Sequence, residues 1–379
     1  AGKPSTWQKI DSNWYFYDED GLKTIGKKNI NGSTYYFNQE GIMQTGWAFV
    51  DGHWNYFASS GAMKTGWIKD QETWYYLDKD GIMLTGRQDI NGVRYYLNAS
   101  GAMQTGWKWQ ENSWYFYTNS GAMKTGWLKD KESWYYLDPE TGIMAVGSKE
   151  IDGKNYFFSS AGTMQVGWQW SNDSWHYYAT SGALQTGWLK DGDAWYYLEG
   201  KEGVMLVGLH QVDGKQYYFS KSGAMQTSWK WFDNHYRYFE SNGAMKTGWI
   251  KDKGVWYYLN PEDGIMLVGL QKVNGDQYYF DSTGAMQTGW KQVDGNWYYF
   301  QADGSLLKNS TTPDGYKVNE EGVWKQVVTA DKKPNHSINK QETSTLTDKS
   351  ENMNKEDKQE KQKEDSIVDP SISNKKEKE

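Results

Sequence analysis

The sequence predicts an all-β chain of about 15 stacked β-hairpins, each about 20 residues long. Three observations carry that expectation. A unit recurs with starts at residues 7, 27, 47, 67, 87, 107, 127, 148, 168, 188, 209, 229, 249, 270 and 290, and such a period marks a repeat architecture. Each unit holds a run of strong strand formers, as in Trp74-Tyr75-Tyr76-Leu77. The 379 residues include 23 Trp, 29 Tyr and 12 Phe with few aliphatics, so rings must fill a core that aliphatics ordinarily supply.

One unit shows the elements in order. Gly66-Trp67-Ile68-Lys69-Asp70 leads into the polar pair Gln71-Glu72. Other units turn at Asp51-Gly52 or Asn91-Gly92, and such dipeptides between aromatic runs signal a hairpin. Trp74 to Leu77 is the return strand. The connection Asp78-Lys79-Asp80-Gly81-Ile82-Met83 follows, with Gly81 expected at positive φ. It resembles a calcium loop, as does Asp18-Glu19-Asp20-Gly21, but neither ends in a bidentate Glu, so turn chemistry is expected and no metal. A lone hairpin is marginally stable, so the hairpins are expected to stack into a quasi-one-dimensional solenoid.

A longer period overlies the first. Ten units start with Trp, and nine of those carry a second Trp seven residues on: Trp7/Trp14, Trp47/Trp54, Trp67/Trp74, Trp107/Trp114, Trp127/Trp134, Trp168/Trp175, Trp188/Trp195, Trp249/Trp256 and Trp290/Trp297. Trp229 is followed by Tyr236. Five units lack both indoles, holding Lys27/Thr34, Arg87/Arg94, Ser148/Asn155, Leu209/Gln216 and Leu270/Gln277, and they fall on every third unit. The coincident loss makes the two indoles one device. A purely structural account, with rings filling a core, would not skip units so regularly. Trp109, Trp170 and Trp231, with Phe49 in the same place, occur only in the unit after a Trp-free one.

The pattern Gly-Trp, six residues, Trp-Tyr-Tyr, then Gly-x-Met and Thr-Gly-Trp, as in Gly61-Ala62-Met63-Lys64-Thr65-Gly66-Trp67, resembles the choline-binding repeats of streptococcal surface proteins. The Trp-free units, such as Ile90-Asn91-Gly92-Val93-Arg94-Tyr95-Tyr96-Leu97, look more like glucan-binding and clostridial-toxin repeats. The resemblance implies a left-handed β-hairpin solenoid with about three units per turn and sites between consecutive units. A period-three sequence would then line the Trp-free units along one ligand-blind edge. Residues 1–325 are expected to form the array, including a degenerate closing unit at about 305–325. Residues 326–379, rich in Lys and Glu with no aromatic ring, are expected to be a disordered tail or linker.

By the same resemblance, a cage takes both indoles of one unit and a ring from the next. Strand alternation puts Trp74 and Tyr76 on one face, which makes the last ring of each triplet the expected third wall. The expected cages are Trp47/Trp54/Tyr76, Trp67/Trp74/Tyr96, Trp107/Trp114/Tyr136, Trp127/Trp134/Phe157, Trp168/Trp175/Tyr197, Trp188/Trp195/Tyr218 and Trp249/Trp256/Tyr279. Weaker versions are Trp7/Trp14/Tyr36, Trp229/Tyr236/Tyr258 and the pair Trp290/Trp297. Middle tyrosines such as Tyr75 and Tyr135 are assigned to packing, and Met63 or Met83 to the core or a fourth wall.

The implied partner is choline-substituted teichoic or lipoteichoic acid at a bacterial cell surface. A net charge of −7 gives no support for nucleic-acid binding, and no apolar run is long enough for membrane insertion. There is no Cys, and the five His residues show no metal or triad spacing, so neither a cofactor nor catalysis is expected. Two rival readings stand: a glucan- or oligosaccharide-binding array, and the anchoring part of a peptidoglycan hydrolase. Choline bridging would permit a homodimer.

Overall fold

The computed structural model describes residues 5–325; the charged tail expected at 326–379 lies outside the described residues. Among the described residues there is no helix, and fifteen β-hairpins follow one another. In one of them Gly66–Asp70 pairs with Thr73–Leu77, with Trp67 opposite Tyr76 and Lys69 opposite Trp74. Gln71 and Glu72 turn the chain at φ 45° and 68°. Positive φ at both central positions is the hairpin turn whose twist matches the strands, and Asn91-Gly92 adopts it at φ 54° and 79° with less strain.

The pairing register sorts the side chains onto two faces. Trp67, Lys69, Trp74 and Tyr76 share one, while Ile68, Tyr75 and Leu77 share the other. The last residue of the return strand is the core: Phe37, Phe57, Leu77, Leu97, Leu137, Phe219 and Leu259 are all fully buried.

The connections lace each hairpin to its predecessor. The Asp78 carboxylate accepts from the amides of Asp80 and Ile82 at 2.8 and 2.9 Å, so the acidic run serves the turn. The Met83 amide donates to the Trp54 carbonyl at 2.9 Å, and Met103 to Trp74 at 2.8 Å. Each methionine side chain also lies against the connection glycine of the next repeat. A Cβ built on Gly142 would stand 2.6 Å from the Met123 sulfur.

The described residues divide into two compact units, 5–167 with Tyr178–Leu184, and Trp168–Tyr177 with 185–325. Consecutive hairpins stack in the same way within each. In the second, short strands Ser310–Thr311, Lys317–Val318 and Val323–Trp324 extend the last hairpin, with Trp324 paired to Trp297.

Candidate binding cages

One cavity has a volume of ≈ 400 Å³ and is lined by Trp188, Trp195, Tyr217, Met225, Ser241 and Asn242. Three consecutive repeats build it. The first supplies two indoles, 6.4 Å apart and nearly perpendicular at 83°. The second supplies Tyr217, 4.9 Å from Trp188, and the Met225 thioether. The third supplies the loop bearing Ser241 and Asn242. Trp188 packs against the buried cluster of Leu206, Val212 and Phe219, which holds it in place. Trp195 is 41% exposed, so one wall of the cage is open to ligand.

The same geometry recurs. The pairs Trp7/Trp14, Trp67/Trp74, Trp127/Trp134 and Trp249/Trp256 stand 6.3, 6.4, 6.2 and 6.2 Å apart, all edge-on. Trp229 and Tyr236 keep the arrangement at 6.5 Å.

The third ring differs from expectation by one residue throughout. Trp47 meets Tyr75 at 4.9 Å, Trp67 meets Tyr95 at 4.8 Å, and Trp107 meets Tyr135 at 4.9 Å. Trp127, Trp168, Trp188 and Trp249 each meet Tyr156, Tyr196, Tyr217 and Tyr278 in turn at 4.9 Å. Trp7 and Trp229 meet Tyr35 and Tyr257 at 4.8 and 5.0 Å. The rings expected there are on the other face. Tyr76, Tyr136, Tyr197 and Tyr258 lie instead opposite Trp67, Trp127, Trp188 and Trp249 in their own hairpins, at 5.0–5.2 Å. Tyr36, Tyr96, Phe157, Tyr218 and Tyr279 pack on the core rings Phe57, Tyr117, Tyr178, Phe239 and Phe300. Alternation within a strand is the reason. Stacked hairpins meet by opposite faces, so the indole face of one repeat meets the middle-tyrosine face of the next. The middle tyrosines assigned to packing therefore face the indoles of the preceding repeat.

A signal for this lies in the sequence. The middle position is Tyr in all nine hairpins that follow a Trp-bearing one: Tyr35, Tyr75, Tyr95, Tyr135, Tyr156, Tyr196, Tyr217, Tyr257 and Tyr278. After a Trp-free hairpin it varies, as Asn55, Tyr115, His176, Arg237 and Tyr298.

The cages fall into two kinds. In the repeat after a Trp-free one, the first indole N–H donates to a carboxylate of the next hairpin. Trp47 reaches Asp70 at 3.1 Å, Trp107 Asp130 at 2.9 Å, Trp168 Asp191 at 2.9 Å, and Trp229 Asp252 at 3.2 Å. Trp290 makes the equivalent bond to Asp314 at 2.9 Å and is itself buried, against Tyr316. These aspartates carry no ring and escaped the sequence reading, though Asp70, Asp130, Asp191 and Asp252 recur in phase with the long period. Here the second indole packs against one more ring: Phe49 on Trp54, Trp109 on Trp114, and Trp170 on Trp175, at 5.4, 5.4 and 5.5 Å. Burial and the nearby Asp191 carboxylate push the Tyr196 phenol up.

Two of the indole-free faces are occupied by the protein itself. The Arg87 guanidinium lies 4.9 Å from the Tyr115 ring centre and pairs with Glu111. Phe232 stacks on Tyr218 at 4.2 Å and 4°, with Arg237 over Phe232 at 4.5 Å.

The family described as Choline-binding repeat matches residues 24–65, 64–105, 104–148, 145–184, 165–208, 226–268 and 267–310. The family described as Putative cell wall binding repeat matches residues 5–22 and 208–225. Among solved structures, choline binding protein F of Streptococcus pneumoniae, crystallised with a peptidoglycan analogue, is 31% identical; the match covers 86% of this chain and 100% of that one, with a TM-score of 0.29. CbpJ of Streptococcus pneumoniae TIGR4 is 30% identical over 79% of this chain and 100% of its own, with a TM-score of 0.26. The modular autolysin LytC of Streptococcus pneumoniae is 25% identical over 64% of this chain and 52% of its own, with a TM-score of 0.42. No match was found among curated proteins.

Proposed function

This chain belongs to the choline-binding repeat family, and we propose that it is a non-catalytic attachment module that holds choline groups of teichoic or lipoteichoic acid at a bacterial cell surface. The observation that carries the reading is the recurring cage of two indoles and a neighbouring tyrosine, seen most fully at Trp188, Trp195 and Tyr217 with the Met225 thioether. A quaternary ammonium has no proton to donate and a weakly hydrated charge. Ring faces attract the charge through their quadrupole while the methyl groups bury against carbon, at roughly 0.5–2 kcal/mol per contact. Three such contacts make a weak site, roughly millimolar to tens of micromolar. Weak sites in series suit a polymer that displays choline repeatedly, because linkage raises avidity by orders of magnitude.

Glucan binding is the rival reading, and it drew on the Trp-free repeats. The filling of two of those faces, by Arg87 and by Phe232, supports choline over that alternative. Calorimetric and tryptophan-fluorescence titrations with choline, and in parallel with maltose and isomaltose oligosaccharides, decide it. Saturable choline binding at several sites, reduced by Trp67→Ala with Trp74→Ala, is the expected result. Saturation by a glucan with no response to choline would overturn the proposal.

A further inference from the structure

The two kinds of cage differ most at one position, two residues after the first indole. In the cages whose indole is bonded to an aspartate it is Phe49, Trp109, Trp170, Trp231 or Gln292. In all the others it is lysine: Lys9, Lys69, Lys129, Lys190 and Lys251. Each lysine is exposed. Each is paired across the hairpin with the second indole of its cage, as Lys9 with Trp14, Lys69 with Trp74, Lys129 with Trp134, Lys190 with Trp195 and Lys251 with Trp256. The Lys9 and Lys251 ammonium groups lie 5.9 and 5.6 Å from the ring centres of Trp14 and Trp256.

A lysine there opposes the binding of a bare cation. Like charges repel across the few ångströms between the ammonium and the cage. The arrangement fits a ligand whose cation is followed by an anion. Phosphocholine is that ligand, since an ethylene bridge separates its quaternary ammonium from a phosphate. With the ammonium between the rings, the phosphate would emerge on the open side, beside the exposed second indole and its lysine. Lys69 donates to Glu72 at 2.6 Å, but that pair is exposed and contributes little, so phosphate can replace it.

We infer that the cages bearing Lys9, Lys69, Lys129, Lys190 and Lys251 are phosphocholine sites in which the lysine ammonium recognises the phosphate, whereas the cages bearing Phe49, Trp109, Trp170 or Trp231 read the choline cation alone. The inference rests on the choline reading above. It separates cages that share the same indole pair, and it makes the phosphate part of what is recognised.

The test is a pair of titrations of the full chain, with choline and with phosphocholine, at low and high salt. In the wild type, phosphocholine should bind a subset of sites about twofold to fivefold more tightly than choline, with the preference fading as salt rises. Replacing Lys9, Lys69, Lys129, Lys190 and Lys251 by Gln should weaken phosphocholine and strengthen choline. Opposite signs are the mark of charge recognition, because damage to the fold would weaken both. Equal affinities in the wild type, or a preference that survives the Gln variant, would overturn the inference while leaving choline binding intact. A wild type that binds neither ligand would instead sink the choline reading. Choline-bearing teichoic acid and phosphatidylcholine vesicles, tested side by side, tell which source presents the group; the wall polymer is expected to lose affinity in the Gln variant.

Discussion

The Trp67 indole meets the Tyr95 phenol of the next repeat at 4.8 Å. Tyr96, its neighbour in sequence, lies on the opposite face and packs toward Tyr117 at 6.0 Å. The ring that faces Trp67 is therefore the one that the sequence pattern assigned to packing. Tyr95→Ala should weaken choline at this site by about 0.5–2 kcal/mol, or roughly twofold to thirtyfold. Tyr96→Ala should leave the number of choline sites unchanged. Calorimetric site counts on the two variants check this, and loss of a site with Tyr96→Ala alone would refute the assignment.

Asp130 orients a cage without lining its rings, through its 2.9 Å bond from Trp107 Nε1. Asp130→Ala should cost about 1 kcal/mol at that site, close to fivefold in choline affinity. The Trp127 cage should be unaffected. Faster solvent exchange of the Trp107 indole N–H by NMR is the direct readout, and unchanged exchange would argue against the bond.

Gly142 sits at φ +75°, with the Met123 sulfur 2.6 Å from where a Cβ would be. Gly126 has a similar φ of +71° but open space within 4 Å. Gly126→Ala should carry only the left-handed backbone penalty, about 1–2 kcal/mol. Gly142→Ala should add about 1–3 kcal/mol of overpacking. Adding Met123→Ala to Gly142→Ala should cost less than the two separate effects combined. Denaturant midpoints of the four variants measure the coupling; additivity would show that the methionine does not press on the glycine.

His176 is buried beside Ser171, whose hydroxyl is 3.3 Å from Nδ1. Burial pulls its pKa below the ordinary 6.5, against opposing contributions from the Ser174 backbone and Glu202. The unfolded chain thus takes up a proton at a higher pH than the folded one. The contribution of neutral His176 is present above about pH 6.5 and falls away as pH drops from there through the folded pKa. His176→Gln should flatten that slope in urea midpoints taken between about pH 7 and 5. An unchanged slope would exclude His176 as its source.

Local chemistry made the hairpins legible in the sequence. Aromatic β-formers beside Asn-Gly and Asp-Gly specify strand, turn and strand within one repeat, and the 61-residue spacing from Arg87 through Ser148 and Leu209 to Leu270 marks the repeats without indoles. The pairing of the two indoles was readable for the same reason, since a shared fate along the chain shows in the letters. Only the tertiary structure decided what joins them. Tyr95 rather than Tyr96 faces Trp67 because stacked hairpins meet by opposite faces, a relation between repeats that periodicity within a strand does not contain. Asp70 reaches Trp47 across 23 positions because the next hairpin brings its turn end over the indole. Arg87 fills the face opposite Tyr115 for a similar reason. Alternation along a strand is a property of the backbone and can be counted; the contact between two strands' faces depends on how whole hairpins are set against each other.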